Sequence, residues 1–495
     1  MRTKLNILSL LIVLCIILTS ITGCSNSKDT GGTGSETAAQ NETKAGSSTE
    51  AEKTEHEEDV YPENGLPKDP ITLKVGFFEG GYGRAYYDYA KDTFTQKFPN
   101  VKIETVYSPK IDTVVQARIA ANNVDEMFDL APLYWSTYGI NKQIEPLNDL
   151  YERELYDTPG VKVKDILMDG AWDTRGEIDG NVYTFPTNMW VGGLFYDKAL
   201  FKEHGWNEDP KTFDEFKRLC EDIKAKGITP ITFSGMYNYL AFSVGWNKLY
   251  EIAEINGYID EFTQKYEYDL EYIPLGSKEM LESWSKLFEL GKAGYFSEGL
   301  ASLNHTQSQM LAIQHKAAMV SSADWIDNEM KDSVEPGFEW GYMALPFIND
   351  PNQTIYLIGD FATQFGIWAA KPDINKKWAK EFMLWFLNKD VQMKQVEWAG
   401  ALPVRKDIAS DESKMASIRP GQKNLLTYLG THKTKIVSGN RRVTPKTGPS
   451  AQQAYKLYTD GLVKVAEGKG DPEVLLKEIY ELQKKGIEEG KQDSQ

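Results

Sequence analysis

The stretch GLFYDKALFKEHGWNEDPKTFDEFKRLCEDIKAKGITPITFSG, residues 193–235, passes from strand to helix, to a second helix and back to strand. It opens on an apolar run, and Asp197 then starts a helix that Gly205 stops. A carboxylate at that point accepts the free N–H groups of a first turn, and glycine tolerates the left-handed backbone that ends a helix. Thr212-Phe213-Asp214-Glu215 is a capping-box sequence, after which Phe213, Phe216, Leu219, Cys220 and Ile223 share one helical face. Gly227 stops this second helix and ITPITF forms the next strand. Cys220 is therefore expected as a buried core thiol, not a nucleophile.

The same α/β alternation extends on both sides. Ile71-Thr72-Leu73-Lys74-Val75-Gly76-Phe77 puts Ile, Leu, Val and Phe on one strand face. After GGYG, the segment RAYYDYAKDTFTQKFP sets Tyr87, Ala90, Phe94 and Phe98 at helical spacing, and Pro99 ends it. VKIETVYS reads as a strand, IDTVVQARIAAN as a helix and MFDLAPLY as a buried strand. This βαβαβ order predicts a parallel sheet with ligands beyond the carboxyl ends of its strands. Further on, KKWAKEFMLWFLNK lines Trp378, Phe382, Trp385 and Phe386 along a helix face. Two helices close the chain, one from Ser450 and one opened by Asp471-Pro472. No repeat recurs along the sequence.

At 495 residues the chain is long enough for two or three domains, and 41% hydrophobic with 26% charged residues is the composition of a folded, water-soluble protein. Lys plus Arg number 55 against 72 Asp plus Glu, a net charge of -17, which excludes a general binder of nucleic acid or anionic membrane. Three cysteines are too few for a disulfide framework or a cysteine-rich zinc site.

The N-terminus directs the chain out of the cytoplasm. Arg2 and Lys4 precede the apolar run Leu10–Leu18, too short to span a bilayer and flanked as an export signal is. It closes on Ile21-Thr22-Gly23-Cys24, which resembles a bacterial lipobox with Ile in place of the usual Leu. Residues 1–23 are thus expected as a lipoprotein signal, Cys24 as the lipidated residue and the outer face of the cell membrane as the location. The stretch up to residue 70 is rich in Gly, Ser, Thr and Glu and poor in large apolar residues, so it reads as a disordered tether.

Taken with the lipobox and tether, the body resembles the substrate-binding lipoprotein of a bacterial ABC sugar importer, the type 1 extracellular solute-binding family. Residues 193–235 are similar to that family's strand, its "YNK-x-x-F" helix, "P-x-T-W-x-E-F" helix and "G-x-x-P" strand, with Asp197 for the usual Asn and Phe213 for the usual Trp. HKAAMVSSADWI resembles "G-x-A-A-M-x-x-x-G-x-W", with His315 and Ala323 at the glycine positions. AKEFMLWFLNKDVQMKQVEWAGALPVRKD resembles the "A-x-x-F-x-x-F-L" helix and the "x-P-V" after it. The resemblance implies an α/β, two-lobed, periplasmic-binding-protein-like fold of type II, with a ligand cleft at a hinge. One lobe is expected at 71–187 with about 358–401, the other at 188–357 with about 402–495. It further implies a non-enzymatic monomer without cofactor or metal that captures a carbohydrate, an oligosaccharide by preference, and delivers it to ABC permease subunits.

A sugar presents C–H faces to aromatic rings and a rim of hydroxyls to polar side chains. Trp325, at the family's sugar-stacking position after Asp324, leads the candidates. Trp135, Trp190 and Trp246 occupy strand exits or irregular segments, whereas Trp284, Trp378 and Trp385 sit on apolar helix faces and read as core. Tyr134 follows the FDLAP strand, and Tyr237 and Tyr239 follow ITFSG; each is open to cleft or packing. Glu79 and Asp360 are candidate hydroxyl acceptors, with a solvated loop and a helix N-cap as their plain alternatives. Arg84 and Arg405 are candidate donors.

Enzymatic signatures are missing from the sequence. GGYG lacks the third glycine of G-x-G-x-x-G, no H-E-x-x-H involves the five histidines, and no G-x-S-x-G elbow is present. A secreted carbohydrate hydrolase, which needs only two suitably spaced carboxylates, stays open as the alternative. So do a binder of another polar solute such as a peptide, and a structural surface lipoprotein.

Overall fold

The computed structural model describes residues 59–492, apart from 173, 238, 363–364, 417 and 439–442. The expected export signal, Cys24 and most of the expected tether lie outside the described residues. Two main sheets are built from β1 (Ile71–Phe78), β2 (Val101–Ser108), β3 (Leu130–Ala131), β4 (Asn188–Asp197), β5 (Thr229–Thr232), β6 (Ala317–Ala323), β7 (Trp340–Met343), β8 (Ile355–Ala362), β9 (Gly366–Ile367) and β10 (Thr434–Val437).

The first sheet has the order β9-β3-β1-β2. β1 runs parallel to β2 from Ile71↔Val101 to Phe78↔Ser108, and parallel to β3 at Val75↔Leu130. Leu73, Val75 and Phe77 are buried as their alternation requires, under the helices Ala85–Lys97 and Asp373–Trp385. Phe94 and Phe382 from these helices meet at 5.1 Å and Tyr87 stacks on Phe386 at 6.1 Å. Each such buried side chain contributes about 1.5–3 kcal/mol. Trp378 is core as expected, whereas Trp385 is half-buried and donates its indole N–H to Thr93 Oγ1 at 3.0 Å.

The second sheet has the order β10-β8-β4-β6-β5, with β7 also on β4. β4 changes partners along its length. Asn188–Val191 pairs antiparallel with β8, and Gly192–Tyr196 pairs antiparallel with β6. Residues Met189 and Leu402 also bridge, so three passages of the chain run side by side where the two sheets approach. Asp197 caps the helix Lys198–His204 by accepting from Ala199 N–H at 3.0 Å, and Gly205 ends it at φ +63°. Thr212 caps Phe213–Ala225, whose Phe216, Leu219, Cys220 and Ile223 enter a second core with Trp284 and the C-terminal helices Pro449–Ala466 and Pro472–Gln492. Burial pushes the Cys220 thiol well above its ordinary pKa, as befits a core residue.

Three expectations need correction. The fold starts before residue 71: Val60 bridges Pro67, Leu66 is buried, and the Tyr61 ring meets Phe98 at 5.0 Å and Trp378 at 5.8 Å. Tyr61 and Leu66, in a mostly polar stretch, dock it on the first core. The strand expected over MFDLAPLY is only Leu130–Ala131 long. The capping box is half formed, since Glu215 accepts from Lys211 N–H at 2.7 Å rather than from the cap residue's own N–H.

Candidate functional site

β6 ends at Ala323, so Asp324 and Trp325 leave the second sheet at its edge toward the first. Around Trp325 gather Trp190 at 5.8 Å, Phe242 at 5.8 Å, Tyr82 edge-on at 5.9 Å and Tyr239 at 6.5 Å between ring centres. Trp190 also meets Phe242 at 5.2 Å, and Tyr239 stacks on Phe242 at 4.9 Å. Glycines make this convergence possible. A Cβ on Gly192 would lie 2.7 Å from that of Phe242, and one on Gly81 would lie 2.9 Å from the Trp325 indole. Trp190, Tyr239, Phe242 and Trp325 are each half-buried, so the group keeps some ring surface open.

The Asp324 carboxylate lies beneath this group, fully buried. It accepts from Val191 N–H at 3.1 Å and from the Tyr82 hydroxyl at 2.9 Å. Desolvation outweighs these bonds and raises its pKa to about 7. Tyr82 belongs to the loop after β1, and Asn328 Nδ2 donates to Gly81 O in the same loop at 2.8 Å. Two hydrogen bonds therefore join the β1 loop to the segment after β6. Beside Tyr239, His305 contacts the ring edge-on at 4.6 Å and hydrogen-bonds Glu329, to which Gln309 also donates at 2.9 Å. His305 Nδ1 and Gln309 Oε1 are buried without a hydrogen-bond partner among the described residues.

The remaining candidates divide. Tyr237 is exposed and its ring lies 6.2 Å from Tyr239, which extends the aromatic row outward. Asp360 faces Trp190 across the β4–β8 pairing and accepts from Ser438 at 2.8 Å; it lies within a strand and is no helix N-cap. Glu79 and Arg84 pair with each other at 3.8 Å, and Arg84 lies over the Tyr107 ring. Tyr134 is exposed at the exit of β3. Three candidates are structural. Arg405 is 0% exposed, with its guanidinium bonded to Asp157, Asp407, Thr158 and Leu387 O. Trp246 stacks on Tyr458 at 5.5 Å against the second core. Trp135 packs with Tyr183, Ile178 and Trp368 over Gly176, apart from the Trp325 group.

A family model described as bacterial extracellular solute-binding protein matches residues 90–421. The chain belongs to this family. Its description as an extracellular family places its members outside the cytoplasm, the location expected from the N-terminal sequence. The solute-binding protein is 29% identical over 275 residues to the diacetylchitobiose binding protein NgcE of Streptomyces coelicolor, covering 54% of this chain and 55% of that one. It thus spans about half the length of that relative. It is 23% identical over 350 residues to the multiple sugar-binding protein of Streptococcus mutans, covering 68% and 77% of the two chains. In structure it is similar to a chitin oligosaccharide binding protein, with a TM-score of 0.65, 19% identity, and coverage of 85% of this chain and 100% of that one. The raffinose complex of RafE gives 0.62, 18%, 84% and 100%. The fold is the periplasmic-binding-protein fold.

Among the described residues of the solute-binding protein, no helix is long and apolar enough to cross a membrane, and no group of three or more His, Cys, Asp or Glu could hold a metal ion. Tyr82, Phe242 and His305 were not legible as site residues. Tyr82 stands inside the GGYG that follows β1, beyond the carboxyl end of a parallel strand where a ligand is expected, and that was the available signal.

Proposed function

We propose that this protein is a non-catalytic receptor that captures a carbohydrate, an oligosaccharide by preference, and delivers it to the permease of an ABC importer. The observation that carries the reading is the aromatic group of Trp190, Tyr239, Phe242 and Trp325 at the approach of the two sheets, with unsatisfied His305 Nδ1 and Gln309 Oε1 beside it. Half-open rings suit the C–H faces of a sugar, and polar atoms at their edge suit its hydroxyls. The names of the relatives, binders of diacetylchitobiose and of multiple sugars, support the same ligand class.

The two sheets correspond in this reading to two lobes, and the side-by-side passages at β4, β8 and Leu402 to the hinge on which they close. Tyr82–Asp324 and Asn328–Gly81 are the contacts of the closed state. Cys24 carries a diacylglycerol that holds the monomer on the membrane. A hydrolase is disfavoured by the carboxylates nearest the rings: both Asp324 oxygens accept from protein donors, and Glu329 is engaged by His305 and Gln309. A thermal-shift panel of mono- and oligosaccharides tests the reading. Stabilisation by one sugar series is expected; stabilisation by peptides alone, or by nothing, contradicts it.

A further inference from the structure

Beyond Tyr237 the surface opens into a groove of about 640 Å³, a volume ordinary for a small-molecule site. One wall is the loop Gly235–Tyr237 after β5, and the other is the helix Pro449–Ala466. Tyr455, Thr459 and Val463 recur every four residues along the groove face of this helix, with Asp460, Lys464 and Glu467 beside them. The loop wall is fixed, because Gly235 N–H and Met236 N–H each donate at 3.2 Å to the backbone of residues 300–303. No side chain fits at Gly235, whose Cβ would run into Leu300 O.

The rings in this groove are unusually open. Tyr455 is 70% exposed and Tyr237 58%. Large aromatic side chains left in water on a rigid wall mark an interaction site, and these are continuous with the Trp325 group through Tyr239.

We infer that this groove is an extension of the binding site that takes the outer units of a glycan chain whose inner end lies at Trp325, with Tyr455 as the stacking platform of the outer subsite. The inference rests on the carbohydrate reading above and sharpens it: the ligand is a linear oligosaccharide long enough to pass Tyr239 and Tyr237. Thr459, Asp460, Lys464 and Glu467 offer hydroxyl-complementary groups of both polarities, with two carboxylates against one ammonium. That lining suits a neutral glycan better than a phosphate or carboxylate ligand.

The test is calorimetric titration of the purified protein with chito-, cello- and malto-oligosaccharides of increasing length. Within the series that binds, affinity should rise as units are added beyond the shortest ligand. Tyr455→Ala should weaken the long ligands at least fivefold and leave the shortest unchanged, and Tyr455→Trp should restore the long ones. Because Tyr455 is exposed, its replacement leaves the fold intact, which a thermal melt verifies. Binding that is independent of length, or an equal loss for short and long ligands, overturns the extension while the carbohydrate reading stands. Binding of no saccharide overturns both.

Discussion

Asp324 is a carboxylate held away from water. Its carboxylate is raised to about 7 by burial, against an ordinary value near 4 in the unfolded chain. The folded state therefore holds this proton more tightly than the unfolded state, so the contribution of Asp324 to stability falls as pH rises from about 4 to 7 and then levels off. Comparing Asp324→Asn with the native chain isolates the effect. Between pH 5 and pH 8 the native protein should lose about 2–3 kcal/mol relative to the variant, read by urea unfolding. Parallel stability profiles for the two proteins would show that the carboxylate is not buried as described. At this scale, the residues legible in the sequence were those fixed by a local pattern. Trp325 and Asp324 stand at a recognisable strand end, and Cys220 lies on a helical stripe. Arg405 has a local partner in Asp407, but its burial also depends on Asp157, 248 positions away, which no local pattern shows.

At the scale of elements, β4 decides the architecture, because one strand pairs with β8 in its first half and with β6 and β7 in its second. Gly192 stands at the change of partner, with Phe242 packed where a side chain would project. Gly192→Val should displace Phe242 from Trp190 and Trp325, cost about 1–3 kcal/mol in stability and weaken ligand binding. Unchanged unfolding and affinity would mean that the aromatic group does not depend on this close approach. The helix Phe213–Ala225 was readable to its caps, since Thr212, Gly227 and the apolar stripe are all local signals. β3 and the docked segment after Asp59 were not. Their extent is set by contacts with distant partners: Gly366 and Ile367 for the one, Phe98 and Trp378 for the other.

At the scale of the whole molecule, the alternation of strands and helices made the α/β class legible, and the ordered motifs pointed to the periplasmic-binding-protein fold. The meeting of Tyr82 with Trp325 was beyond sequence reasoning, because it joins residues 243 positions apart in the chain. That meeting brings the aromatic candidates into one group. Trp325→Ala removes the ring that touches all the others, and should weaken saccharide binding more than tenfold, a loss of about 1.4 kcal/mol or more. The central claim is capture without chemistry, and calorimetric titration of the purified protein with oligosaccharides, followed by analysis of the recovered sugar, tests it most directly. The account predicts saturable binding of one sugar per chain, with the sugar recovered intact. Release of new reducing ends, or no binding by any saccharide, would contradict it.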